Sequence, residues 1–210
     1  MNYRFVHIVL AFTFLVLAAS AHAGEVILHP NGFGEHSYAA WKAQQGLPDS
    51  NGAKNQSLYF QKMTTTPTFA AGVAVFQGIE GLPVSQLAAL EFWVGLDGHC
   101  GAGAPRFNIR VDLGGGNRQT FFIGCAAMLP GGLMTAPNGR MYQQRRIVTP
   151  FFAAFPGPLV MGTITSLSIV FDEGDDVGQG FVHLDNITVE TSSMEFPTKT
   201  WTSASDNGNQ

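Results

Sequence analysis

The sharpest alternation along the chain runs through residues 106–113. Phe107, Ile109, Val111 and Leu113 fall on one side, and Arg106, Asn108, Arg110 and Asp112 on the other. A period of two predicts a strand with one face in a core. The turn Gly114-Gly115-Gly116-Asn117 leads into residues 119–125, so the two segments predict a hairpin. Short apolar or alternating runs recur at 26–28, 57–61, 69–76, 90–96, 147–155, 164–171 and 181–189, separated by turn clusters such as Asn31-Gly32-Phe33-Gly34 and the glycine loop 98–103. Only 37–44 and the turn around 85–89 read as short helices, and the Gly- and Pro-rich stretch 131–139 reads as a loop. Many short strands with frequent turns predict an all-β sandwich or barrel.

Two of these runs carry more detail. In 90–96, Leu90, Phe92, Val94 and Leu96 take the core side, which sends Trp93 to the opposite face with Glu91, Gly95 and Asp97. In 181–189, Val182 and Leu184 share a face, but Ile187 and Val189 are out of phase with them. Keeping all four in the core requires an extra residue near Asp185-Asn186, a β-bulge.

The two ends differ from this middle. Arg4 is the only charged residue before Glu25, and the apolar run 5–19 leads to Ala-Ser-Ala-His-Ala at 19–23. A positive start, a short apolar centre and an Ala-x-Ala exit predict an export signal over 1–23. The run is too short for the roughly 20 residues that span a bilayer. Cleavage after Ala23 leaves Gly24 first; cleavage after Ala21 leaves His22, an N-terminal histidine able to chelate copper. Residues 24–190 then form one domain, and the polar stretch 191–210 reads as a disordered tail. The expected location is secreted or periplasmic.

The formal charge is −4, and loss of Arg4 makes the exported chain more negative still, which argues against a nucleic-acid partner. Cys100 and Cys125 are the only cysteines, and in an oxidising compartment they are expected to pair. No Gly-x-Ser-x-Gly, His-Glu-x-x-His, Walker loop or Cys-x-x-Cys is present. A glycosidase needs two carboxylates across a cleft, and Glu91, Asp97 and Asp112 are candidates if they share a face. Asp172, Glu173, Asp175 and Asp176 crowd one loop. Such crowding is relieved by solvent or by a cation such as calcium, although the spacing is not that of an EF-hand.

The opening Val26-Ile27-Leu28-His29-Pro30-Asn31-Gly32-Phe33, followed by Trp41 and Gly46, resembles the start of jelly-roll (galactose-binding-like) carbohydrate-binding modules. Leu90-Glu91-Phe92-Trp93-Val94 is similar to their central strand and 181–187 to their closing strand. The resemblance implies a two-sheet antiparallel jelly roll that holds carbohydrate on one sheet face. It also implies a structural calcium near Asp185 with an early acid, Glu35, as helper; the crowded acids of the 172–176 loop, Asp172 and Asp175 among them, are the alternative helpers. Gly34 stands where these modules carry Glu, and Glu35 follows one residue late.

On this reading Trp93 is an aromatic platform flanked by Glu91 and Asp97. Arg106, Asn108, Arg110 and Asp112 supply hydrogen bonds if their strand lies alongside. The alternative for Trp93 is a cover from the loop 131–139, which would make it part of a second small core. Two other functions remain open: a small glycan-active enzyme (a hydrolase, or a copper enzyme using His22), and a surface or adhesion protein without a small ligand.

Overall fold

A computed structural model describes residues 26–49, 52, 54–173 and 180–207. The predicted export signal, His22 and Asp175 lie outside the described residues. Among the described residues twelve strands form two sheets: β1 (Ile27–Phe33), β2 (Ser37–Lys42), β3 (Ser57–Lys62), β4 (Ala71–Gln77), β5 (Leu87–Gly95), β6 (Arg106–Asp112), β7 (Arg118–Gly124), β8 (Leu129–Thr135), β9 (Met141–Val148), β10 (Thr163–Phe171), β11 (Phe181–Thr191) and β12 (Lys199–Trp201). One sheet has the order β1-β4-β10-β6-β7, the other β2-β3-β11-β5-β9-β8, with β12 added beside β11. All pairings are antiparallel. The protein is a two-sheet antiparallel β-sandwich.

The alternation read from the sequence is what makes the two inner faces apolar. Phe107, Ile109 and Val111 of β6 meet Phe92 and Val94 of β5 in one continuous core, and Phe76, Leu167, Phe60 and Leu184 join them. Phe107 lies between Phe76 and Phe92, with ring centroids 6.3 and 5.5 Å away. Burial of each such side chain contributes roughly 1.5–3 kcal/mol.

The predicted bulge is present. The β11–β5 register slips between Asp185 and Thr188, and Asn186 takes φ 43°. Val182, Leu184, Ile187 and Val189 are all buried as a result. The disulfide Cys100–Cys125 is also present. It joins the loop before β6 to the end of β7, closing the outer hairpin. Replacing both cysteines with serine is expected to cost roughly 3 kcal/mol for a loop of this length. Non-reducing peptide mapping should return the linked pair, and two alkylatable thiols would contradict it.

Several expectations are corrected. Residues 37–44 are not a helix: β2 pairs along β3, and Ala39 faces the core while Tyr38 and Lys42 face out. Two alanines there suggest a helix, but sheet pairing overrides so weak a preference. The stretch 131–139 is not all loop, because Leu129–Thr135 is an edge strand on β9. Pro130 is tolerated there because an edge strand has one unpaired side. β9 ends at Val148, so 149–155 is not strand, and Leu96 lies past the end of β5, half exposed. β1 runs on through the predicted turn at Asn31-Gly32.

The described part of the polar stretch, 191–207, is not a loose tail. Lys199–Trp201 pairs with β11, and Trp201 is fully buried against Phe76.

Candidate ligand face on the seven-stranded sheet

Strand pairing decides which predicted site residues meet. β5 lies between β11 and β9, whereas β6 lies between β10 and β7 in the other sheet. Glu91, Trp93 and Asp97 therefore belong to one outer face, and Arg106, Asn108, Arg110 and Asp112 to the opposite one. The two sets do not form a shared platform, and Asp112 does not share a face with Glu91.

Trp93 is half-buried rather than open. It packs on a small second cluster of Leu47, Ala136 and Tyr142. A Cβ built at Gly132 would sit 3.6 Å from its ring, so β8 lies over it. A register shift between Pro130 and Leu133 accompanies this cover. Glu91 accepts hydrogen bonds from Gln144 (2.7 Å) and Arg146 (3.0 Å), and Arg146 also pairs with Glu190. Asp97 accepts from Arg140 Nε at 2.8 Å. The β5–β9 half of the face is thus filled by its own side chains.

On the far side of the sandwich, Arg106 is likewise committed. It makes a two-pronged pair with Asp172 and donates to the Gly103 carbonyl and to Asn108. An apolar groove of about 430 Å³ runs past it, lined by Phe122, Phe155 and small residues. Asp112 accepts the Gly114 N–H and faces Arg118, and Arg110 is exposed.

Among the described residues, the predicted calcium ligands Glu35, Asp172 and Asp185 each have other partners. Glu35 pairs with His36, Asp172 with Arg106, and Asp185 is buried with both oxygens occupied: Oδ2 accepts the Leu47 N–H at 2.6 Å and Oδ1 the Asn186 N–H at 2.7 Å. Burial pushes the Asp185 carboxyl up to about 7, with the nearby Asp49 and Asp206 carboxylates adding to the rise and the two N–H groups opposing it. Among the described residues no three His, Cys, Asp or Glu side chains converge as a metal site. Asp185 instead anchors the loop after β2 across the sheet. Gly46 is required in that loop, because a Cβ would strike both the Gln56 carbonyl and the Asp185 carboxylate.

The same loop divides the face and leaves its other half open. A cleft of about 340 Å³ is lined by Tyr38, Lys42, Ala43, Gln45, Tyr59 and His183. Period-two geometry places these side chains together: Tyr38 and Lys42 on β2, Tyr59 on β3 and His183 on β11 lie on one pleat face, with Tyr59 and His183 directly opposite each other.

Four rings form a cluster there. Tyr59 is 5.8 Å from Tyr38, 6.0 Å from Phe181 and 4.8 Å from His183, between centroids. The Lys42 ammonium sits 5.3 Å from the Tyr38 centroid and 5.7 Å from that of Tyr59. His183 shares a 2.8 Å hydrogen bond with the buried Ser57 hydroxyl through Nδ1. Burial first, then the Arg140 charge, hold His183 down at about 4, so its ring is neutral at neutral pH. Burial also raises the Tyr59 phenol.

Gln45 ties the cleft to its neighbour. Arg140 donates to Gln45 Oε1 at 2.8 Å, and the buried Tyr142 hydroxyl donates to the Gln45 carbonyl at 2.6 Å. Arg140 and Asp97 line a second depression of about 510 Å³ beyond that bond. None of Tyr38, Lys42, Tyr59 or His183 stands out in the sequence as a site residue. Tyr59 is visible only as part of the alternation in 57–61, and its partners come from strands distant in the chain.

Compared with protein-family models, with curated proteins and with solved structures, the chain gives no match.

Proposed function

We propose that this protein is an exported, non-catalytic module that binds carbohydrate on the open half of its seven-stranded sheet. The observation that carries the reading is the cleft at Tyr38, Tyr59 and His183, where half-buried rings are edged by an amide, an ammonium and a neutral imidazole. A sugar ring presents apolar C–H faces bordered by hydroxyls. Aromatic rings suit the former and the polar groups the latter, the usual division of labour in a small-ligand site. Export is supported by the leader-like first residues and by the disulfide; no helix among the described residues is long and apolar enough to cross a membrane.

The glycosidase reading gains no support from the site. Glu91 is hydrogen-bonded by Arg146 and Gln144 and Asp97 by Arg140, so each carboxylate is already engaged by its own neighbours. Calcium remains a separate proposal, tested by running the binding assay with and without it.

The test is a glycan array probed with the exported form. Tyr38→Ala removes a ring from the edge strand β2 and is expected to weaken binding by about thirtyfold, the loss of a typical anchor residue, with little change in melting temperature. A blank array with and without calcium would overturn the reading. So would a Tyr38→Ala variant that binds as the wild type does.

A further inference from the structure

The charge arrangement around the cleft narrows the ligand further. On this sheet face Arg140 is matched by Asp97, and Arg146 by Glu91 and Glu190. Lys42 has no carboxylate partner among the described residues, and no acidic side chain lines the cleft it borders. Its ammonium is held over two phenol rings, an attraction that keeps it poised without neutralising it. Arg140 acts on both Tyr59 and His183 at the other end of the cleft, but its partner Asp97 opposes it at His183, so the uncompensated charge of the cleft is that of Lys42. A protein whose formal charge is −4 thus presents a locally cationic cleft.

From this we infer that the sugar bound at Tyr38 and Tyr59 is anionic, its carboxylate or sulfate ester received by Lys42. The inference rests on the carbohydrate reading above and adds the ligand's charge to it. The rings take the sugar's apolar face, and the ammonium supplies a charge-assisted hydrogen bond at its edge. Gln45 and the neutral His183 border hydroxyls that a second cation would not serve as well. A neutral glycan would leave the Lys42 charge without a counter-group in a partly desolvated cleft, and that difference sets the specificity.

The experiment is an array carrying neutral, uronate-bearing and sulfated oligosaccharides, probed with wild type, Lys42→Met and Tyr38→Ala. Lys42→Met keeps the length of the side chain at the half-buried end of β2, and melting curves verify that both variants fold. The expected result is binding to anionic glycans, weakened roughly tenfold or more by Lys42→Met, with the uronate and sulfate arms telling which anion is taken. Hits on neutral glycans that Lys42→Met leaves unchanged would overturn the inference and leave the carbohydrate reading standing, as would anionic hits that survive the substitution. A blank array would remove the carbohydrate reading itself.

Discussion

A chain that stops after Thr191 is expected to fail to fold, and Trp201→Ala alone to cost about 3–5 kcal/mol, as large aromatic truncations in a core do. Trp201 is fully buried, edge-on to Phe76 at 5.2 Å and opposite Ile187 on β11. Phe196 is buried with it. The segment is fastened by polar groups as well. Asn207 accepts from the Leu28 N–H and donates to the Leu28 carbonyl, each at 2.8 Å, so its side-chain amide pairs with β1 as a neighbouring strand would. Lys199 donates to the Val26 carbonyl, and Gln56 accepts the Ala204 N–H. Against a typical total stability of about 5–15 kcal/mol, losing all of this leaves little margin. Urea denaturation of the two variants is the measurement. A truncated protein that melts with the full-length chain would show that the segment is an appendage.

That segment also explains which parts of the fold were legible. Strands that alternate cleanly, β6 above all, were readable because one face is buried and hydropathy reports it directly. The bulge in β11 was readable for the same reason, since four apolar residues out of phase admit one repair. The end of the chain was not, because its attachments are hydrogen bonds from Asn207, Thr200 and Lys199 rather than an apolar run. β8 was hidden similarly: every one of its side chains is exposed, so a strand there leaves no alternation, and Pro130 and two glycines suggest a loop.

The site was legible only by half. That Trp93 leaves the main core followed from the period of β5, but what covers it depends on β8 and on Leu47, which contact it from distant parts of the chain. Nothing in the alternation of β5 or β6 fixes whether the two are neighbours, and a face is only as well predicted as its strand order. The open cleft draws on β2, β3 and β11, the first of which reads as a helix in the sequence. Tyr38 and Lys42 both lie on that edge strand, so a helical pattern there hides the two together.

Asp185 and His183, two residues apart on β11 and both buried, are expected to give the folded protein two opposed pH dependences. Burial raises the Asp185 carboxyl from 3.8 to about 7. Between those values the folded state holds a proton that the unfolded state has released, so this contribution falls as pH rises through the window. His183 is lowered from 6.5 to about 4. There the unfolded state holds the extra proton, so its contribution rises with pH from about 4 to 6.5. At about 1.4 kcal/mol per pH unit, the Asp185 contribution amounts to roughly 4–5 kcal/mol and the His183 contribution to roughly 3–4 kcal/mol across their windows, and in the wild type they largely cancel from pH 4 to 6.5. Separate substitutions uncover them. Relative to wild type, Asp185→Asn should gain stability steadily as pH rises from 4 to 7, while His183→Gln should gain it as pH falls from 6.5 to 4. Each variant also loses a hydrogen bond, to Leu47 or Asn186 in one case and to Ser57 in the other. That loss shifts its curve by a constant and leaves the slope intact. Groups titrating elsewhere are common to all three proteins and drop out of the differences. Denaturant titrations at half-unit intervals from pH 4 to 8 measure these slopes. If the Asp185→Asn curve runs parallel to wild type, the carboxyl is ionised throughout and its two N–H donors outweigh its burial. If the His183→Gln curve is parallel instead, the imidazole in the cleft titrates near 6.5, and an anionic ligand would bind more tightly in mild acid.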